Sequence, residues 1–432
     1  MNKKILRLAV PNIIANITIP LLGIVDLAIL GHLESELYIG GIAIGGMIFN
    51  FLYWGFGFLR MGTSGFTAQA FGERNLKECI LSLSRGFIVG LFSGILLIIL
   101  QKPIGLLSFL VIDGSSEVEQ LASQYYNIRI FAAPATLGLY AITGWFIGMQ
   151  NTKTPMVIAI VVNILNIILN IFFVFGLGLK SDGVAYGTLI AQYIGFIFGI
   201  YFFFRYYKRL LKYWSKQAFL KFSAFREFFV VNSDIFLRTL CLIFVFSFFT
   251  ARSANTDDTT LAINTLLLQF FMFFSFFADG FAHAAEALTG KFVGAKNQKG
   301  LTILIKKLFI WGLGMGSVFT LIYFFSGKEL LKLLTDNPRL INESSQYFFW
   351  IIAVPLLSFP AFLWDGIYIG ALASKEMRNT MFAATFLFFI LYYILLPFME
   401  NHSLWLSLII FLAGRGLFQT LLAKKAISIK RN

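Results

Sequence analysis

Runs of about twenty apolar residues recur along this chain, and they constrain it more than any other feature. Residues 156–176, 184–204 and 378–397 pass with almost no charge. About 20 residues of helix cross a hydrocarbon core of roughly 30 Å, with the backbone polar groups satisfied inside the segment. Strands of a membrane barrel would read as alternating segments of about ten residues, and the sequence has no such alternation. Charged residues make up 13% of the 432, where a soluble domain carries roughly 25%. An all-α integral membrane protein is therefore expected. The N-terminal Met1-Asn-Lys-Lys-Ile-Leu-Arg7 leads into an apolar stretch longer than a signal-peptide core, so a retained helix is expected there. Cys79, in an expected basic loop, and Cys241, in a helix, are too few for a metal site and are expected to be inert.

Twelve spans are predicted, at 6–30, 40–63, 86–108, 127–149, 156–176, 184–204, 228–250, 261–286, 303–325, 345–370, 378–397 and 403–423. The loops between them alternate in basic content. One set, which includes both chain ends and the run from Arg205 to Arg226, holds 25 of the 35 Lys and Arg. The other holds only Lys102, Lys180, Arg252, Lys328, Lys332 and Arg339. The positive-inside rule puts the richer set, with both termini, in the cytoplasm, and the expected location is the plasma (inner) membrane. The net charge of +14 is then largely topological, and no nucleic-acid partner is expected. Residues 205–227 read as a basic cytoplasmic linker, anchored at anionic headgroups, between a lobe of residues 1–204 and a lobe of residues 228–432.

The two halves resemble each other at an offset of 222 residues. Thr67-Ala-Gln-Ala-Phe-Gly72-Glu-Arg-Asn75 matches Thr289-Gly-Lys-Phe-Val-Gly294-Ala-Lys-Asn297, and Gly144-Trp-Phe-Ile-Gly148 matches Gly366-Ile-Tyr-Ile-Gly370. Each half holds six spans, an even number, so the halves share one orientation. The expected architecture is two six-helix lobes related by a pseudo-two-fold axis along the membrane normal. Repeats of this kind recur in secondary transporters, with the substrate site between the halves.

Nine charges remain at membrane depth: Arg60, Arg129, Arg238, Arg415, Asp26, Asp234, Asp279, Glu286 and Asp365. Each costs about 2.5–3.5 kcal/mol at a helix centre by insertion scales, so each is expected to face a partner or a watery path. Asp234 and Arg238, four apart, are expected to pair with each other. Arg60 and Glu286, on equivalent helices, suggest a bridge that closes the inner side, and Asp365 and Arg415 suggest a pair within the second half. Asp26 differs, because no charge lies within five residues on either side and Pro11 and Pro20 precede it in its helix. A lone carboxylate in an apolar setting is costly when charged and is suited to binding and releasing a proton. Asn163, Asn166 and Asn170 in span five and Thr188 in span six are either glue between helices or a polar chamber around Asp26. Asp279, His283 and Glu286 fall at i, i+4 and i+7, a candidate second proton path; a metal site there would need more ligands. His32 and His402 fall at the outer membrane boundary. Most of the 52 phenylalanines are expected to face lipid or fill the core. With no phosphate-binding Gly-rich loop and no nucleophile arrangement, neither a cofactor nor enzymatic chemistry is expected.

Several stretches resemble one family. Val25-Asp26-Leu-Ala-Ile-Leu-Gly31-His32-Leu, Phe58-Leu-Arg60-Met-Gly-Thr-Ser-Gly65-Phe-Thr67-Ala-Gln69-Ala-Phe-Gly72 and Asn163-Ile-Leu-Asn166 are similar to the multidrug and toxic compound extrusion (MATE) transporters, particularly their DinF branch. So are Asp279-Gly280-Phe-Ala-His-Ala-Ala-Glu286-Ala, Asp365-Gly366-Ile-Tyr-Ile-Gly370 and Glu376-Met-Arg378-Asn379. The resemblance implies two lobes in a V around a central cavity, and export of organic cations and amphipathic compounds in exchange for protons or sodium. It implies a first-lobe cation site with Asp26 as its acid, surrounded by Asn166, Asn170 and Thr188. Many relatives carry aspartate where this chain has Asn170. The missing charge favours a proton over sodium, a hard cation that prefers several oxygen ligands and negative charge.

The expected function is proton-coupled antiport by alternating access, with sodium coupling and an amphiphile or lipid-linked flippase as the alternatives. The expected partners are the lipid bilayer, a small organic substrate and protons. A two-lobe cavity needs no second copy, so a monomer is expected.

Overall fold

In the computed structural model, residues 1–31, 35, 37–111 and 115–427 are described. His32 and the last two basic residues of the C-terminal end, Lys430 and Arg431, lie outside them. Among the described residues the chain is helical throughout and has no strand. Twelve helices or helix runs are long and apolar enough to cross a membrane, matching the number of spans expected. The third differs in register: its helix is Leu76–Ile99 rather than 86–108, and a separate helix follows after Leu100. Cys79 therefore lies in a helix, not in a loop. It is buried, and its carbonyl accepts a 2.8 Å hydrogen bond from Trp145 Nε1.

The chain forms two compact units, one of Ile14–Asn232 and one of Met1–Ile13 with Ser233–Asn432. The first contains most of α1 (Asn2–Gly31), then α2 (Leu37–Gly55), α3 (Phe58–Gly72), α4 (Leu76–Ile99), α5 (Gln101–Val111), α6 (Ser116–Arg129), α7 (Ala133–Gly148), α8 (Lys153–Ile171), α9 (Lys180–Tyr207) and the short α10 (Lys216–Phe219). Helix α7 packs between α3 and α4, α8 pairs with α9, and α2 pairs with α6. The second unit contains most of α11 (Phe222–Ala254), then α12 (Asp258–Gly294), α13 (Gln298–Leu334), α14 (Pro338–Ser344), α15 (Phe348–Gly370), α16 (Ser374–Met399) and α17 (Asn401–Ala426). Here α15 packs between α12 and α13, and α16 pairs with α17.

The 222-residue repeat holds at the level of single atoms. A Cβ on Gly144 would run into the backbone of Arg60, and one on Gly366 into the backbone of Ala282. Gly148 meets Ser64 O and Thr67 in the same way that Gly370 meets Glu286 O and Thr289. All three pairs of contacts keep the offset. Small residues at such crossings let membrane helices approach closely enough for dispersion to hold them. The turns repeat as well. Arg74 and Lys296 have φ of 59° and 51°, and Gln150 and Leu372 have 63° and 55°. Asn75 caps α4 by accepting from Glu78 N at 3.0 Å, and Asn297 caps α13 by accepting from Gly300 N at 2.8 Å.

Candidate functional site

Helix α1 runs unbroken through Pro11 and Pro20, although each proline removes one donor from the helical ladder. Within the first unit, α8 grips it at two points. Asn163 Nδ2 donates to Thr18 Oγ1 at 2.7 Å, and Asn170 Nδ2 donates to Asp26 Oδ1 at 2.8 Å. Asn163 and Asn170 are two turns apart, as are Thr18 and Asp26 in the same sense, so one face of α8 serves both contacts.

The Asp26 contact continues inward. Asn170 Nδ2 also donates to Asn166 Oδ1 at 3.0 Å, and Asn166 Nδ2 donates to Thr188 Oγ1 at 3.0 Å. Asn166, Asn170 and Thr188 are buried, while Asp26 is half-buried. Asn170 fits only because α9 presents Gly187 opposite it: a Cβ there would run into Asn170 Oδ1. Just beyond Asn170 the helix widens into a π-turn over Phe172–Gly176 before the chain reverses at Gly178 (φ 68°).

Two residues outside the expected set join this group. The Tyr125 hydroxyl interacts with Thr188 and with Asp26, and it accepts a 2.7 Å hydrogen bond from Arg129 Nη1. Arg129 in turn acts electrostatically on Asp26. Arg129 stood out in the sequence only as a charge at membrane depth. Tyr125 carried no signal, because a lone tyrosine in an apolar span reads as packing. Arg60, on α3, lies near Tyr140.

The second unit holds a different arrangement. Buried Asp365 on α15 accepts from Arg415 Nη2 at 2.6 Å, from Gln419 Nε2 at 2.7 Å and from Arg238 Nη2. The expected pairing of Asp234 with Arg238 within α11 does not form. Asp234 instead accepts from Arg378 Nη1 at 2.5 Å and from Ser374 Oγ at 2.8 Å, both on α16. Two donors of α16 satisfy Asp234, and Arg238 goes to Asp365, where donors of α11 and α17 converge. Asp279, His283 and Glu286 lie along α12, with Glu286 buried and the other two half-buried. Asp279 is close enough to Arg415 to act on it electrostatically. His402 Nδ1 accepts from Trp350 Nε1 at 3.1 Å, with Tyr347 beside its ring.

A family model described as MatE matches residues 11–172 and again residues 235–398. The chain is 34% identical over 420 residues to DNA damage-inducible protein F of Escherichia coli (strain K12), covering 96% of this chain and 90% of that protein. It is 23% identical over 357 residues to the probable multidrug resistance protein NorM of Thermotoga maritima, covering 80% and 74%. Among solved structures it is similar to a MOP superfamily transporter from Pyrococcus furiosus, with TM-score 0.89 and 17% identity over 100% of this chain and 97% of that one. It is also similar to an outward-facing multidrug resistance MATE family transporter, with TM-score 0.88 and 17% identity over 98% and 95%. These structures share the fold.

Proposed function

The chain belongs to the MatE family, whose members are membrane transporters and not enzymes, and we propose that it is a proton-coupled antiporter exporting organic cations or amphipathic compounds by alternating access. The observation that carries this reading is the hydrogen-bonded series from Asp26 through Asn170 and Asn166 to Thr188. It attaches the lone carboxylate of a proline-containing helix to two neighbouring helices.

In the described arrangement Asp26 accepts from Asn170. A proton on Asp26 turns one carboxyl oxygen into a donor that needs an acceptor of its own and leaves the other a neutral, weaker acceptor for Asn170. One of the two points at which α8 grips α1 is then weakened. The proton drives transport only if the two resulting states differ in affinity for substrate. A cationic substrate and a proton compete for the same negative charge, which yields exchange. The neutral Asn170 supports proton over sodium coupling, since a single carboxylate leaves a sodium ion under-neutralised. The inner membrane as location, cytoplasmic termini and a monomeric state belong to the same reading.

The test is transport of a fluorescent organic cation into or out of proteoliposomes, under a pH gradient and separately under a sodium gradient, for wild type and Asp26→Asn. Proton-driven transport that falls to background in the variant is expected. Sodium-driven transport would overturn the choice of ion. Undiminished proton-driven transport in the variant would move coupling to the second unit, near Asp279 and Glu286.

A further inference from the structure

Helix α9 has 28 residues, Lys180–Tyr207, about 42 Å at 1.5 Å per residue. A bilayer with its headgroups is about 40–45 Å thick. The segment after Tyr207 therefore starts at the level of the headgroups, and the next apolar span begins at Phe222. The segment between them is folded. A 3₁₀ turn over Lys208–Tyr213 leads into α10, which Ser215 caps by accepting from Ala218 N at 3.3 Å. One side of it is held by the first unit, to which residues up to Asn232 belong. Leu210 is buried there, and Ala218 O accepts from Arg85 Nη2 of α4 at 3.4 Å. The Phe219 ring packs between Trp214 and Phe225, at 6.0 and 5.2 Å from their ring centres.

The other side carries apolar and basic residues together. Leu220 is 59% exposed and Phe222 80%, and Trp214 is exposed as well. Interleaved with them are Lys212, Lys216 and Lys221, all exposed, and none of the three forms an ion pair with a described residue. Residues 205–227 include seven basic residues and one acid, Glu227. Large apolar side chains left in water are costly. A face that mixes them with lysine suits the boundary between hydrocarbon and anionic headgroups. Rings and aliphatic stems sink in there, and ammonium groups stay at the phosphates.

Charge alone places residues 205–227 near such headgroups. We propose more: the outward face of this folded segment is a docking surface for anionic phospholipid. Trp214, Leu220 and Phe222 insert beside the acyl chains, and Lys212, Lys216 and Lys221 meet the phosphates. Through Leu210 and the Arg85 contact, the lipid then holds the first unit at the membrane surface. This is independent of what the protein transports.

Local lipid contact tests it. Full-length protein carrying Gln217→Cys is labelled with a water-soluble fluorescent maleimide and placed in phosphatidylcholine nanodiscs. The unmutated chain controls for labelling of Cys79 and Cys241. A nitroxide on the acyl chain, close to the headgroup, quenches the fluorophore only at short range. Quenching by spin-labelled phosphatidylglycerol is compared with quenching by spin-labelled phosphatidylcholine at equal mole fraction. The anionic lipid is expected to quench roughly threefold more, with the difference shrinking as salt rises. Lys212→Gln/Lys216→Gln/Lys221→Gln is expected to abolish the difference. Leu220→Ser/Phe222→Ser is expected to weaken quenching by both lipids. Each substituted side chain is exposed, so the fold is retained. Equal quenching by the two lipids without these substitutions would overturn the proposal, as would a difference that survives loss of the three lysines. Quenching by neither lipid would put the segment clear of the bilayer and overturn it too. None of these readings needs transport, so the exporter reading and this one stand or fall separately.

Discussion

Asp26 and Asp365 are both carboxylates at membrane depth, and they differ in what their surroundings ask of them. Asp365 is enclosed by Arg238, Arg415 and Gln419. Its charge is the counterweight to two buried guanidinium groups, so it serves as a structural anchor. Replacing it by asparagine leaves those cations uncompensated, and removing one partner of a buried ionic group costs about 3–5 kcal/mol. Thermal unfolding of Asp365→Asn in detergent should therefore show a large loss of stability. The added change Arg238→Met should recover part of it, because one unpaired charge is then gone. Absence of any loss would mean that water reaches the cluster. Among the described residues Asp26 accepts from the Asn170 amide, with Arg129 acting on it electrostatically, so its charge is held far less firmly. A group that must change protonation within a working cycle needs that looser hold.

At the scale of helices, the duplicated feature is the crossing of α7 over α3 and of α15 over α12, and it depends on glycines. Gly144 and Gly366 each touch the backbone of the facing helix at the position a Cβ would need. Backbone cannot step aside as a flexible side chain can. Overpacking of this kind costs about 1–3 kcal/mol. Gly144→Ala and Gly366→Ala should lower the unfolding temperature by similar amounts, since the two crossings are equivalent; a change confined to one would show that they are not. The polar residues do not follow the repeat. The positions 222 residues after Asp26, Asn166 and Asn170 are Phe248, Phe388 and Tyr392, and those 222 before Asp365 and Arg415 are Thr143 and Tyr193. The scaffold was kept in both halves while each acquired its own buried chemistry.

For the molecule as a whole, the charge asymmetry of the loops has a direct consequence. With 25 basic residues in one set of expected loops and chain ends against 6 in the other, a strong bias toward a single orientation is expected. A fluorescent protein that matures only in the cytoplasm should fluoresce when fused to the C-terminus, and a phosphatase active only outside should be inactive there. The opposite result would invert the expected orientation and with it the side from which a proton reaches Asp26.

Twelve spans, the duplicated halves and the family were legible in the sequence alone. The reason is that each rests on something local or additive: the length of apolar runs, a constant offset, and motifs of a few residues. Asp26, Asn166, Asn170 and Thr188 were also legible as a group of polar residues where none is cheap, and the fold brings them within hydrogen-bond reach of one another. Which side chains become partners was legible only in part: Asp365 and Arg415 pair as their positions suggested, but other partnerships were not foreseen. Asp234 and Arg238 sit four apart on α11, yet each bonds to a residue more than a hundred positions away. Tyr125 and Arg129 join Asp26 from α6, and nothing in their local sequence announces it. Partnership between buried polar groups depends on how each helix is rotated about its axis and on which neighbours it meets. Those choices are made by the packing of small residues at the crossings, and only the tertiary structure decides them.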